Sequence, residues 1–337
     1  MPFEILVTRD YDHMSVVGAE IFRGVVAKVL AAKDRCVLGL ATGRSPVKLY
    51  KDFAARINAG EFPARRFVSF NLDEYVGLPG ENAQQRALHR ESYTYFMVRE
   101  LFGLLKDGFA EANVPWGTLI DQKLLARELK ANPDDWTAQG TSQGKALVIR
   151  RGARSRCLAW IRKEILDGYA RKIRRAGGID LQVIGVGSRG HVAFHEAGIP
   201  FAGNGMLLVR LDESTIANAV RDGHFASPKD GPRYAISMGC ELVFRAPTVV
   251  LLASGERKVG ALARSVLEPM SPELPLSYVQ HYVARGGHLT YVIDRPAAAG
   301  LLARADELPA RGVVLRDLSR EKPAASRGNG DPRKAFA

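Results

Sequence analysis

An α/β fold with a mostly parallel, open sheet and helices on both faces is what this sequence predicts, and three observations predict it. Short apolar runs of strand length recur at Cys36–Leu40, Phe67–Asn71, Leu181–Val186, Thr248–Ala253 and Leu289–Ile293. Longer helical patterns such as Val16–Leu30 and Ser92–Leu105 lie between them. Two of the runs lead directly into glycine-bearing turns, Ala41-Thr42-Gly43 and Gly185-Val186-Gly187. Strands that alternate with helices pair in parallel, and ligands of such sheets gather in the crevice beyond the strands' carboxyl ends.

The chain has 337 residues, 46% of them hydrophobic, enough for one large α/β domain or two average ones with a well-filled core. It contains no run of eighteen apolar residues, so no membrane span is expected. The opening MPFEILVTRDYDH carries acidic and polar residues where a signal peptide needs an apolar stretch, which makes the cytoplasm the expected compartment. Cys36, Cys157 and Cys240 lie far apart without CxxC spacing, which indicates reduced thiols and neither a disulfide framework nor a zinc site. Net charge is +12, and between Lys145 and Arg175 eleven Lys or Arg stand against only Glu164 and Asp167. That stretch reads as a solvated helix face plus a basic loop, with contact to nucleic acid or an acidic partner as the secondary reading. No recognition-helix pair, zinc finger or interleaved aromatic platform accompanies it.

Two segments break the alternation. From about 121 to 153 no sustained amphipathic period is present, so an inserted excursion, partly ordered at best, is expected there. From Ser319 onward the sequence SREKPAASRGNGDPRKAFA is polar and rich in Gly, Pro and Ala, the composition of a disordered tail. The expected organisation is thus one domain over 1–316, containing the excursion, and a basic tail over 317–337. No internal repeat is found.

Four segments carry chemistry. In VLGLATGRSPVKLYK (37–51) a strand ends in Thr42-Gly43-Arg44-Ser45 and Pro46 opens a helix, so free backbone N–H groups, two hydroxyls and the positive helix end could hold a phosphate; an ordinary N-cap and tight turn is the alternative. In FVSFNLDEYVGL (67–78) the carboxylates of Asp73 and Glu74 reach a strand end, where one could remove a proton from carbon or simply begin a helix. GVGSRGHVAFHE (185–196) brings His191 and Glu196 to a third strand end, with His195 as a second imidazole that local sequence does not distinguish from the first. LLASGERKVGAL (251–262) delivers Arg257 and Lys258 at a fourth. A fifth stretch, STIANAVRDGHF (214–225), adds Arg221 and is uninformative by itself.

Taken together and in this order, these segments resemble the glucosamine-6-phosphate deaminase/isomerase family, which shares its fold with 6-phosphogluconolactonases. The stretches LGLATGRSPVKLYK, FNLDEYVGL, SYTYFMVRELF, GGIDLQVIGVGSRGHVAFHEAGIPF, LDESTIANAVRDGHF, YAISMG, SGERKVGAL and LPLSYVQHY carry the resemblance over most of 1–316, apart from about 121–153. It implies a modified Rossmann-like fold and a reaction, free of metal and cofactor, that turns an amino-sugar phosphate into fructose 6-phosphate and ammonia. It further implies that Thr42, Gly43, Arg44 and Ser45, with Lys258 and Arg221, bind the substrate phosphate. Asp73 would shuttle a proton between C2 and C1, and His191 and Glu196 would assist ring opening. The partner is then a small sugar phosphate, and a homo-oligomer stays open.

This chain departs from the family pattern at specific positions. Arg189 stands two residues before His191, where the family usually has an aspartate that orients the imidazole. A guanidinium there lowers the proton affinity of the histidine, so either another carboxylate substitutes, or ring opening is slower, or the substrate differs. The loop reads FHEAG where FNEPG is usual, and Arg44 replaces a common glycine. From Ile199 to Leu208 the residues are apolar or small where allosteric members carry serines plus Arg and Lys, so their activator site is not expected. Two alternatives accompany the deaminase reading: a 6-phosphogluconolactonase-type hydrolase and a non-catalytic sugar-phosphate sensor.

Overall fold

The computed structural model of the protein describes residues 3–221 and 223–320. Among these described residues thirteen strands form two sheets: β1 (Phe3–Thr8), β2 (Cys36–Leu40), β3 (Phe67–Asn71), β4 (Asp73–Val76), β5 (Glu111–Asn113), β6 (Trp136–Gln139), β7 (Lys145–Ile149), β8 (Leu181–Ile184), β9 (Met206–Arg210), β10 (Tyr234–Met238), β11 (Thr248–Ala253), β12 (His288–Asp294) and β13 (Val313–Asp317). The larger sheet runs β13-β1-β12-β11-β8-β2-β3-β5, with every neighbouring pair parallel. All five expected apolar runs are strands of this sheet.

Both faces of that sheet are buried, and β11 shows it residue by residue. Val249, Leu251 and Ala253 belong to one core cluster, Val250 and Leu252 to the other. Successive strand side chains point to opposite faces, so a strand covered on both sides must be apolar throughout. One face is covered by the long helix Tyr11–Ala32, through Met14, Phe22, Val26 and Leu30, and by Val47–Asn58 through Leu49, Tyr50 and Phe53. The other is covered by helices that include Asp167–Arg175, Val259–Leu267 and Arg295–Leu302.

The second sheet, β4-β10-β9-β7-β6, is antiparallel. The alternation argument does not foresee it. Its entry point is Leu72, after which the chain leaves β3 in the large sheet and continues as β4 in the small one. The segment expected as an excursion at 121–153 supplies helix Gln122–Ala131 and both strands of the hairpin β6–β7. It is therefore integral to this sheet, a correction to the expectation of partial order at best. Hairpin strands this short leave too few residues for a period to show, yet Leu147 and Ile149 are buried in a cluster with Val76, Leu208 and Ile236.

The basic stretch continues into helical segments Arg156–Trp160 and Asp167–Arg175 joined by a π-helical segment, Ile161–Leu166. Arg162 pairs with Asp167, Arg171 with Glu164 and Lys172 with Glu111. Those ion pairs fit the solvated-face reading. No helix among the described residues is long and apolar enough to cross a membrane. The strand β13 closes the large sheet at Asp317, and the expected tail lies mostly outside the described residues.

Candidate active site

β11, β8, β2 and β3 are consecutive in the sheet order, and the four chemistry-bearing segments all follow these strands. Their turns line one cleft of about 720 Å³. Thr42, Gly43, Arg44 and Ser45 line it after β2, Asp73 after β3, His191 after β8 and Lys258 after β11. Residues 73 and 191, more than a hundred positions apart in the chain, thus face the same space.

After β2 the chain turns at Gly43, whose φ of +92° suits a residue without Cβ. Helix Val47–Asn58 follows, with Pro46 at its start and no side chain capping it. The amides of its first turn are accordingly free of side-chain acceptors, as an anion site at a helix N-terminus requires. Tyr50 Oη, donating to the carbonyl of Ala41 at 2.5 Å, ties the first helical turn back to the strand end.

The pleat of β4 separates two neighbouring carboxylates. Asp73 lines the cleft, while Glu74 turns to the helix start at Tyr93. There it accepts hydrogen bonds from the backbone N–H groups of Tyr93 and Thr94 at 3.0 and 2.9 Å and from the Thr94 hydroxyl at 3.0 Å. Glu74 therefore completes the start of Tyr93–Glu100, and only Asp73 faces the sugar-sized space. Burial, with the neighbouring Glu74 charge adding to it, holds the Asp73 carboxyl well above the usual carboxylate range. Tyr75 and Phe194, with ring centroids 5.2 Å apart, and Tyr93, stacked on Phe194 at 5.9 Å, form an aromatic wall beside it. Sequence patterns did not single these rings out, although each sits in or beside a segment that the order of motifs did.

The glycine turn after β8 exists to seat a ring. A Cβ on Gly187 would lie 2.0 Å from His191 Nε2, so the imidazole packs on bare backbone there. His191 Nδ1 lies 3.8 Å from Glu196 Oε2, and Glu196 is 3% exposed. Glu196 does not line the cleft; it stands behind the ring, its Oε1 accepting from the Thr215 hydroxyl at 2.7 Å and from the backbone N–H of Asp212 at 3.3 Å. Burial pulls the His191 pKa below its ordinary value; Glu196 and Asp212 oppose that shift, and Lys258 and Arg189 add to it. Ala193, which lines the cleft beyond the ring, is the one non-glycine residue with positive φ among those described, at +51°.

The second imidazole has a different part. His195 is fully buried; its Nε2–H donates to the Ile199 carbonyl at 3.0 Å and its Nδ1 accepts from the Cys240 N–H at 3.1 Å. With both nitrogens taken by backbone, it pins the loop that carries Glu196 and does not face the cleft.

Lys258 Nζ donates to the Val186 carbonyl at 2.7 Å, bridging the β11 turn and the glycine turn after β8. The β11 turn is itself held by Asp294, which accepts from the Ser254 hydroxyl at 2.5 Å and the Gly255 N–H at 3.0 Å. Arg221 is not brought to the cleft. It sits exposed at the end of helix Glu213–Arg221 and donates to Asn218 Oδ1 at 3.0 Å, whereas Thr215, Asn218 and Ala219 from the same helix do line the cleft.

Glucosamine-6-phosphate deaminase of Rhodopirellula baltica is 32% identical to this chain over 302 residues, an alignment that spans 90% of the chain and 97% of that protein. The chain belongs to the glucosamine-6-phosphate deaminase family. Other relatives in the deaminase family include glucosamine-6-phosphate deaminase 2 of Bacillus subtilis, 32% identical over 300 residues with 88% and 97% of the two chains covered. That of Clostridioides difficile is 33% identical over 297 residues, covering 88% and 96%. Among solved structures, a monomeric glucosamine-6-phosphate deaminase superposes with a TM-score of 0.66 at 22% identity, covering 88% of this chain and 99% of that one. The 6-phosphogluconolactonase of Thermotoga maritima gives 0.54 at 16% identity, covering 87% and 100%. At identities that low, the two superpositions show that this chain shares the fold of both structures. No protein-family model matches the chain.

Arg189, the departure noted two residues before His191, has a clear place here. Its guanidinium is tied to the start of helix Glu213–Arg221. Nη1 donates to Asp212 Oδ1 at 3.0 Å and to the Ser214 hydroxyl at 2.6 Å.

Proposed function

We propose that the protein is an amino-sugar-phosphate deaminase/isomerase that converts glucosamine 6-phosphate, or a close hexosamine 6-phosphate, to fructose 6-phosphate and ammonia. The observation that carries this reading is the shared cleft: a buried carboxylate of raised pKa, Asp73, faces the same space as His191, which Glu196 backs, and the anion-ready turn of residues 42–45. A dianionic tail seated on that turn and on Lys258 fixes the sugar by the end that does not react. Binding energy collected there positions the reacting carbons.

Ring opening then needs one proton removed from the anomeric hydroxyl and one delivered to the ring oxygen. His191, neutral near pH 7 and backed by Glu196, is suited to the first transfer and returns the proton in the second. Isomerisation moves hydrogen from C2 to C1 on one face of the open chain. Asp73 takes the C2 proton as a carboxylate while a proton passes from the substrate ammonium to O1, giving an enolamine, and it returns its proton to C1 as a carboxylic acid, leaving the iminium at C2; a pKa raised by burial favours that return. That iminium is hydrolysed by one water, releasing ammonia and the ketose phosphate. Cys36 and Cys240 are buried free thiols and Cys157 is a half-buried one, which accords with a reducing, cytoplasmic setting for this reaction.

The test is direct. Purified protein is given glucosamine 6-phosphate, galactosamine 6-phosphate and 6-phosphogluconolactone in parallel, with ammonia, fructose 6-phosphate and acid followed separately. Ammonia in step with fructose 6-phosphate is expected; acid release from the lactone alone would overturn the reading, and tight binding without turnover would favour a sensor.

A further inference from the structure

Asp212 follows β9 and begins the helix Glu213–Arg221, and it touches three parts of the dyad's support at once. Its carboxylate, 6% exposed as a side chain, accepts from Arg189 at 3.0 Å, from the Gly144 N–H of the β6–β7 turn at 3.3 Å, and from both the N–H and hydroxyl of Ser214 at 2.9 and 2.6 Å. Its own N–H donates to Glu196 Oε1. The turn it builds also delivers the Thr215 hydroxyl to that same oxygen. Glu196 is therefore clamped through Oε1 and left with Oε2 toward His191.

The charges around His191 are Glu196 behind it, Lys258 from the β11 turn, Arg189 two residues earlier, and Asp212. Without Asp212, two cations would oppose one anion around a ring that must accept a proton. A cation near a base disfavours its protonated form, and an anion held against that cation cancels the effect at low cost when both are hydrogen-bonded.

We propose that Asp212 is a positioning residue of the ring-opening dyad: its carboxylate cancels the Arg189 cation, and its turn holds Glu196 against His191. The proposal rests on the reading of His191 and Glu196 as the ring-opening pair for its kinetic consequence. Its electrostatic content stands apart from that reading and is measured without substrate.

Asp212 also begins a helix, so a purely structural part must be distinguished. Asparagine caps helix starts as well as aspartate does, and Asp212→Asn keeps the acceptor for Ser214 while removing the charge. The experiment uses the whole protein with labelled histidine rings and reads the His191 titration midpoint by NMR. Four forms are compared: wild type, Asp212→Asn, Arg189→Ala, and the double variant. Asp212→Asn is expected to lower the His191 midpoint, by of the order of threefold in proton affinity. Arg189→Ala is expected to raise it, and the double variant to return close to wild type. A merely structural part gives no such restoration. In the kinetic arm, the acid limb of kcat/KM with glucosamine 6-phosphate is expected to follow the same order across the four forms. If Asp212→Asn is poorly folded, Arg189→Ala alone still decides, since an uncancelled Asp212 must then raise the midpoint. An unchanged midpoint in Arg189→Ala, or a midpoint that the double variant does not restore, overturns the proposal. A midpoint that moves as stated while no form releases ammonia retains the charge balance and removes the functional reading instead.

Discussion

Lowering the pH from 7 to 5 is expected to destabilise the fold by about 2 kcal/mol through His195 alone. Its ring is fully buried, with one nitrogen donating to the Ile199 carbonyl and the other accepting from the Cys240 N–H. A second ring proton would point at an N–H, and burial holds the pKa at about 4 against an ordinary 6.5. The folded value is the depressed one, so the unfolded chain takes up the proton first. Stability from this group is intact above 6.5 and is lost as the pH falls toward 4. Linkage puts the loss at roughly 0.2 kcal/mol at pH 7, about 2 at pH 5 and about 3 below pH 4. The assay is urea unfolding of wild type and His195→Asn at pH 7, 6 and 5. The asparagine keeps an acceptor for Cys240 and gives up the bond to Ile199, a pH-independent cost of about 1 kcal/mol. His191, whose pKa is also lowered, contributes equally to both proteins and cancels in the difference. The variant should thus start about 1 kcal/mol lower at pH 7 and fall less steeply, the difference shifting by about 2 kcal/mol in its favour by pH 5, so that the order of the two proteins inverts. Parallel pH profiles would refute the buried, doubly bonded imidazole.

Further outcomes follow from four variants of the site. Asp73→Asn is expected to cut turnover by about 10²- to 10⁴-fold, the range for a lost general base, while sugar-phosphate binding survives. Because burial raises the Asp73 pKa, its charged form is the destabilising one, so the same variant should also melt at a higher temperature at neutral pH; normal turnover would remove residue 73 from the proton shuttle. Lys258→Ala should weaken substrate affinity by about 1.5–3 kcal/mol. Arg221→Ala should leave affinity nearly unchanged, since Arg221 lies outside the cleft; calorimetric titration of both variants decides, and the reverse order would place the phosphate elsewhere. Gly187→Ala puts a methyl 2.0 Å from the present His191 Nε2, so the ring must move, and kcat should fall while far-ultraviolet circular dichroism stays native. Unchanged kcat would show that the ring position is not critical.

Much of the large sheet was legible because its strands are apolar on both faces, a pattern that short windows detect. The small sheet was not. Its strands are brief, β4 follows β3 after a single residue, and the β6–β7 hairpin is stabilised by partners over fifty positions away, such as Arg210 and Val209 opposite Lys145 and Ala146. The order of motifs pointed to the cleft-lining turns of residues 42–45, 73, 191 and 258. Local sequence could not tell His191 from His195, since both follow the same glycine turn and only their packing differs. Nor could it place Arg221, whose direction depends on helical phase.

What sequence alone determined here is local: which runs must be buried strands, which turns need glycine, which residue types stand at the strand ends. Tertiary structure decided every question of facing. The β4 pleat directed Asp73 into the cleft and Glu74 to a helix start, and Arg189 found its anion in Asp212, twenty-three residues later at the start of a helix. Charge balance and proton affinity depend on separations of a few ångströms between groups far apart in the chain. Only the folded packing sets those separations.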